Sequence, residues 1–264
     1  MVKTELSDRV FYILLNGKKD ENRLTFDKLN KILGVLKIAE KDKNVDIVVI
    51  KSELDYFSKG APIKELLEYS ETEAKIYSKL GQNVIKKIRD IKKPVIACVE
   101  GEALGGSFEI VLACDLILAT KDAKFGFNEV NFGIIPGFGG SMLVAKKVHE
   151  TLSKYLIFTG ENVSIEELLR FGIFADVYED RASLEDGLKK TIEKLKGKSI
   201  FAIGLSKETI NNGLQMSFEQ ALLLEQNAFT VAFSSNDKKE GMTAFIEKRQ
   251  PSFTDRWEDF EEIN

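Results

Sequence analysis

The chain has 264 residues, 44% apolar and 30% charged, with 38 basic against 42 acidic side chains and a formal net charge of −4. That length and apolar content suit one large folded unit with a sizeable core, and exclude a small scaffold stapled by disulfides. Scattered lysines in a slightly acidic chain argue against a nucleic-acid surface, and no apolar run approaches the roughly 20 residues that cross a bilayer.

From the N-terminus, Met1–Leu6 is polar where a secretory signal would need an apolar block, so a cytoplasmic location is expected. Arg9–Leu15 is rich in strand formers and Asn16–Glu21 reads as a polar turn. Thr25 is placed as an N-cap, after which Phe26, Leu29, Ile32, Leu33 and Leu36 recur at helical spacing. Ile47–Ile50 has the β-branched character of a strand buried on both faces. Helices follow near Pro62–Tyr69, with Pro62 at the first helical position, and over about Glu73–Arg89. Val95–Val99 is the next strand, Ser107–Cys114 the next helix and Leu116–Ala119 strand-like again. This alternation predicts an α/β core with crossover connections. From Leu184 the pattern turns helical, over Leu184–Leu195, Phe201–Asn211, Phe218–Phe233 and Met242–Glu247. Cys98 and Cys114 sit in apolar runs and are expected to be buried thiols.

With His149 as the sole histidine, placed at an exposed helix end, a histidine relay or a multi-histidine metal site has no basis. Chemistry must come from carboxylates, hydroxyls, lysines or backbone amides. Four segments could supply it. Gly101–Glu109 joins a strand to a helix, and its glycines let a ligand approach amides at the helix start, suited to an oxyanion. Gly133–Ser141 is a second glycine-rich loop before a helix. Glu109 and Glu129 flank these loops and, in one apolar cleft, would divide into an acid and a base. In Tyr56–Lys64, Pro62 forces Ala61 toward extended geometry and leaves its N–H free. Each segment taken singly reads sooner as a turn, a loop or a solvated glutamate than as a site.

In order and interval, these segments resemble the enoyl-CoA hydratase/isomerase family, the crotonase superfamily. The likeness runs from Leu15-Asn16 and Asn22-Arg23-Leu24-Thr25 through Phe57–Ala61, Lys93–Ala97, Gly101–Glu109, Ala113–Leu116, Ala123–Gly126 and Pro136–Gly140 to Glu240–Arg249. The resemblance implies a crotonase-like spiral of ββα units over residues 1–200 and a C-terminal helical trimerisation segment over 201–264, assembled as a homotrimer or a dimer of trimers. It implies an enoyl-CoA hydratase, adding water reversibly to the α,β double bond of an acyl-CoA without metal or other cofactor. The amides of Ala61 and Gly106 would form the oxyanion hole, Glu109 would deprotonate the water and Glu129 would protonate the α-carbon. Substrate contacts are expected from Ala61, Pro62, Ile63, Lys64, Gly105, Gly106, Pro136, Gly137, Phe245 and Lys248.

Isomerases of the family typically keep one of the two carboxylates, so retention of both favours hydration. Three departures stand out: Pro62 where an aspartate is frequent, Asn128 where a proline often precedes the second glutamate, and Arg23 in place of a small residue. Asn128 could hydrogen-bond Glu129 or a substrate oxygen; Arg23 could meet a CoA phosphate or nothing. Phe57, Phe127, Phe132 and Phe138 are candidates for the acyl pocket or for plain core. The alternatives left open are an isomerase or cyclic dienoyl-CoA hydratase of the same fold, and a non-catalytic CoA-thioester-binding protein.

Overall fold

The chain opens with a hairpin that the sequence pattern hides. Strands β1 (Val2–Ser7) and β2 (Val10–Leu15) pair antiparallel from Val2↔Leu15 to Ser7↔Val10. Asp8 and Arg9 alone turn the chain, both at positive φ (49° and 65°), as a two-residue loop matched to strand twist requires. All but one residue of β1 is exposed, so it carries no apolar alternation to announce it. The computed structural model describes residues 1–261.

Helix α1 (Phe26–Lys41) starts at Thr25, whose hydroxyl accepts from the Lys28 amide. Strand β3 (Ile47–Ser52) then lies parallel to β2. The short helix α2 (Ile63–Leu66) begins one residue later than expected: Pro62 is its N-cap, φ −79° and ψ 83°, rather than its first helical residue. The long α3 (Glu71–Asp90) follows a complete capping box between Ser70 and Glu73.

Next come β4 (Val95–Val99), β5 (Glu102–Leu104) and α4 (Gly106–Ala113), then β6 (Leu116–Thr120), β7 (Lys124–Gly126), a 3₁₀ turn over Asn128–Phe132 and α5 (Gly140–Lys147). Each turn of this spiral places one strand in a large sheet, the next in a small sheet, and a helix behind. After α6 (Glu150–Thr159), β8 (Asn162–Ser164) and α7 (Ile165–Leu169), strand β9 (Asp176–Tyr178) completes the large sheet, ordered β1-β2-β3-β4-β6-β9, while the small one is β5-β7-β8. An isolated parallel bridge, Ser58↔Ala103, ties the segment after β3 to the small sheet.

One face of the large sheet packs Ile13, Val48, Ile50, Ala97 and Ile117 against α1, α3 and α4. The other face packs Val49, Ile96 and Leu118 against α8 (Arg181–Lys196) through Leu184, Leu188 and Ile192. Cys98 and Cys114 are buried and unpaired. His149 is exposed and caps α6, its Nδ1 accepting from the Thr151 amide at 3.3 Å.

Helices α9 (Ile200–Gly213), α10 (Phe218–Phe233) and α11 (Asn236–Ile246) close the described chain, before a final turn over Glu258–Glu261. A buried ion pair docks α9: the Lys207 ammonium donates to Asp115 at 2.7 Å and to the carbonyls of Ile88 at 2.8 Å and Lys93 at 3.1 Å. Asp115 in turn accepts from the Val95 amide at 2.7 Å, so one carboxylate joins the entries to β4 and β6 with the C-terminal helices. By contrast, α10 buries none of its residues. Among the described residues no helix is long and apolar enough to cross a membrane.

Replacing Lys207 with methionine removes one partner and leaves Asp115 facing a desolvated gap. The expected cost is about 3 kcal/mol of stability, read from urea unfolding, while Asp115→Val added to Lys207→Met restores part of it.

Candidate active site

The two glycine loops and the turn after β3 converge on one cavity of about 370 Å³. Gly60 and Gly105 set its floor. Gly60 sits at φ +74°, and a Cβ there would stand 2.5 Å from the Leu104 carbonyl oxygen, so the turn closes against β5 only because it carries no side chain. Gly105, at φ 53° and ψ −129°, is the N-cap of α4 and lies under Glu129: a Cβ there would meet the Glu129 carboxylate at 3.0 Å.

Two amides next to these glycines keep their donors free. Neither Ala61 nor Gly106 donates a hydrogen bond among the described residues, while the carbonyls across their peptide units are both held. The Gly60 carbonyl accepts from the Leu24 amide at 2.8 Å, and the Gly105 carbonyl accepts from Phe108 at 2.9 Å and Glu109 at 3.2 Å. In a trans peptide the carbonyl and the N–H point opposite ways, so anchoring the first aims the second.

Glu109 lies in the first turn of α4, 1% exposed. Its Oε1 accepts from the Phe138 amide at 2.9 Å and the Gly140 amide at 2.5 Å. A Cβ on Gly140 would stand 2.7 Å from Glu109 Cγ and 2.7 Å from the Phe127 ring, so the glycine-rich loop is shaped around this carboxylate. Glu129 comes from the 3₁₀ turn, and its Oε2 is buried with no hydrogen-bond partner. Burial pushes Glu109 up to about 8, the charge of Glu129 adding to the rise, and burial pushes Glu129 up to about 6. Two carboxylates that repel one another release their protons in separate steps, so near pH 7 the pair holds one proton between them.

Tyr77 backs the site. Its hydroxyl donates to the Leu24 carbonyl at 2.7 Å, its ring lies 5.3 Å from that of Phe138, and burial raises its hydroxyl far above its ordinary value.

Of the residues expected to act, the cavity gathers Ala61, Ile63, Gly105 and Glu129 in its wall. Gly106 and Glu109 are not in that wall; Gly106 follows Gly105 directly, a Cβ on it would stand 2.6 Å from the Phe138 ring, and the Phe138 amide serves Glu109. Pro62, Lys64, Pro136 and Gly137 do not line this cavity, and neither do Phe245, 84% exposed on α11, and Lys248, which follows it in solvent. Of the four phenylalanines, only Phe132 faces the cavity; Phe57, Phe127 and Phe138 are core. Asn128 does not serve Glu129 with its amide nitrogen, which donates to the Gly160 carbonyl and to Asn162 Oδ1, both at 2.9 Å. Asn131 donates to the same carbonyl at 2.8 Å, so the turn carrying Glu129 is tied to the end of α6. Asn131 and Asn162, both in the cavity wall, carried no signal in the sequence, since an asparagine two residues from a glycine is the ordinary composition of a turn.

Residues 5–256 match the family model described as enoyl-CoA hydratase/isomerase. The chain belongs to the enoyl-CoA hydratase/isomerase family. Among its relatives are a short-chain-enoyl-CoA hydratase of Clostridium acetobutylicum, 37% identical over 93% of this chain and 94% of the relative, and a crotonyl-CoA hydratase of Syntrophomonas wolfei, 35% identical over 94% and 96%. An enoyl-CoA hydratase from Bacillus anthracis superposes with a TM-score of 0.91 at 29% identity, over 96% of this chain and 98% of that one. The fold is the crotonase fold, and the helices after residue 200 are part of it.

Because a buried carboxylate with a raised pKa binds its proton more tightly folded than unfolded, stability falls as pH rises from the ordinary carboxylate range toward 8. Glu109→Gln keeps an oxygen for the Phe138 and Gly140 amides and removes the charge. This family member should therefore gain about 2 kcal/mol at pH 8 from that substitution, the gain shrinking toward pH 5, as measured by urea unfolding across that range.

Proposed function

We propose that the chain is an enoyl-CoA hydratase, adding water reversibly across the α,β double bond of an acyl-CoA thioester. The observation that carries this reading is the pair of buried carboxylates, Glu109 and Glu129, together with two unused backbone amides, those of Ala61 and Gly106, of which Glu129 and Ala61 line the cavity.

In the proposed mechanism the thioester oxygen sits between the Ala61 and Gly106 N–H groups. Water adds to the β-carbon as a carboxylate removes its proton, and the electron pair of the double bond moves onto the thioester oxygen as an enolate, which the two amides stabilise. The enolate then takes a proton at the α-carbon from the second carboxyl group. Hydrogen bonding supports the assignment of each step. Glu109 Oε1 is held by two N–H donors, which favour its ionised form, so Glu109 is the base toward water. Glu129 Oε2 has no donor to support a charge, and although the larger upward shift keeps the pair's single proton on Glu109 at rest, its transfer to Glu129 readies Glu129 to protonate the α-carbon. No metal or redox cofactor is invoked.

Ala61, Ile63, Gly105 and Gly106 are assigned to the reacting end of the substrate. Pro62, Lys64, Pro136, Gly137, Phe245 and Lys248 are assigned to the rest of the CoA or to positioning its loops. Assembly as a homotrimer or a dimer of trimers is supported by Phe218, Leu222, Leu223, Phe229 and Phe233, all left exposed on α10 among the described residues. The names of the relatives favour short acyl chains.

Loss of the conjugated-thioester absorbance of crotonyl-CoA tests the reaction, and mass spectrometry of the product in heavy water separates addition from isomerisation. Glu129→Gln should lower kcat by about a thousandfold or more with little change in KM, since proton donation to carbon is made only in the transition state. The rate of the native enzyme should follow a bell centred near pH 7, falling below about 6 as both carboxyls are protonated and above about 8 as both ionise. Sedimentation equilibrium should give a multiple of three chains.

A further inference from the structure

Arg23 stands where the family resemblance leads one to expect a small residue, and its side chain, about a third exposed and in the cavity wall, bonds along the Ala61 turn. Its Nη1 donates to the carbonyls of Lys59 at 3.2 Å and Ala61 at 3.1 Å, and its Nη2 donates to Glu21 at 2.8 Å. Leu24, the next residue, donates its amide to the carbonyl between them, that of Gly60. Three successive carbonyls of the turn are thus held from one dipeptide.

The two anchors do different work. The Leu24 bond fixes the tilt of the Gly60–Ala61 peptide, and hence the aim of the Ala61 N–H. The Arg23 bonds fix the position of the turn as a whole, gripping it on both sides of that peptide. A glycine at φ +74° offers little resistance of its own to a shift. On the helix side Pro62 has no N–H to give and caps α2 without any side-chain bond, although its carbonyl accepts from the Glu65 and Leu66 amides at 2.9 and 3.0 Å. The helix side thus holds only the Pro62 carbonyl, and the carbonyls of Lys59 and Ala61 before it are held by Arg23.

The segment that delivers Arg23 is itself held in a demanding conformation. Glu21 and Asn22 are consecutive non-glycine residues at positive φ, 52° and 55°. Such geometry persists only where the surroundings over-determine it. Here Asn22 is fully buried, donating to the carbonyl of Phe57 at 3.1 Å and to Ser52 Oγ at 3.0 Å, while its own carbonyl accepts from Ser58 Oγ at 2.8 Å. The Glu21 carbonyl accepts from the Lys59 amide at 3.2 Å. The chain thus forces residues 21 and 22 into a shape that presents Arg23 and Leu24 to the turn.

We propose that Arg23 is a positioning residue for the oxyanion hole, locating the Ala61 amide by clamping the carbonyls of Lys59 and Ala61, and that it is not a ligand of the CoA phosphates. The proposal rests on the hydratase reading above.

The test compares Arg23→Ala and Arg23→Lys with the native protein on two substrates: crotonyl-CoA, and the crotonyl thioester of N-acetylcysteamine, which has the same reacting end and no phosphate. Infrared spectra of bound butyryl-CoA, ¹³C-labelled at the carbonyl, report the strength of the hydrogen bonds to the thioester oxygen without any turnover. The expected result for Arg23→Ala is a fall in kcat of about tenfold to a hundredfold on both thioesters, with a carbonyl band moved back toward that of the free thioester. Arg23→Lys, able to reach one carbonyl but lacking the planar fork, should recover only part of both effects. A raised KM confined to crotonyl-CoA, with kcat and the band unchanged, overturns the proposal in favour of phosphate binding, and unchanged kinetics and spectra overturn it outright. Should the native protein hydrate neither thioester, the hydratase reading fails, while the infrared comparison still decides the role of Arg23.

Discussion

A carboxylate enclosed among aromatic rings is the constraint around which this molecule is arranged. Glu109 has almost no contact with water, and its neighbours include Phe127 and Phe138. Such a group is tolerable only with hydrogen bonds to its oxygens or with a proton kept on it. The loop before α5 supplies the first through two amides, and the proximity of Glu129 promotes the second. Much of the surrounding structure follows. Gly140 has no room for a side chain and Gly106 none beside Phe138, while Gly105 is held at positive φ with Glu129 close above it. Gly106 and Gly140 are glycines because an acid and aromatic rings occupy the space, whereas Gly133 and Gly139 have open space around them and sit at positive φ.

Elements with many buried residues were legible in advance. Thr25 as a cap, the β-branched run at Ile47–Ile50 and the periodicity of α3 each follow from interactions within a short stretch of chain. Elements whose logic is non-local were not. Strand β1 is mostly exposed and exists only through its pairing with β2, and β5, β7 and β8 are three residues each, too short for any period to appear. The α/β class was readable, but the division of strands between two sheets was not.

The site shows the same split. Glu109, Glu129 and the glycine loops could be named because carboxylates and glycines are unusual in apolar surroundings. The partners of Arg23 and Asn128 could not, since both bond to main-chain carbonyls, and any residue whatever can present a carbonyl. Asn128 read as a substrate or Glu129 contact from its place in sequence; in the fold its amide nitrogen belongs to the Gly160 turn. Phe57, Phe127 and Phe138 read equally as pocket or core, and the distinction depends on which way a loop folds over them.

The groups assigned to receive the negative charge are main-chain amides. No substitution at Ala61 deletes its donor unless it brings in proline, and at Gly106 the limit is the space left by Phe138. This part of the apparatus is therefore transmitted with the backbone path rather than with any particular side chain. Lineages descending from such a chain could exchange their acids and bases, and so change the reaction, without having to reinvent the means of holding an enolate.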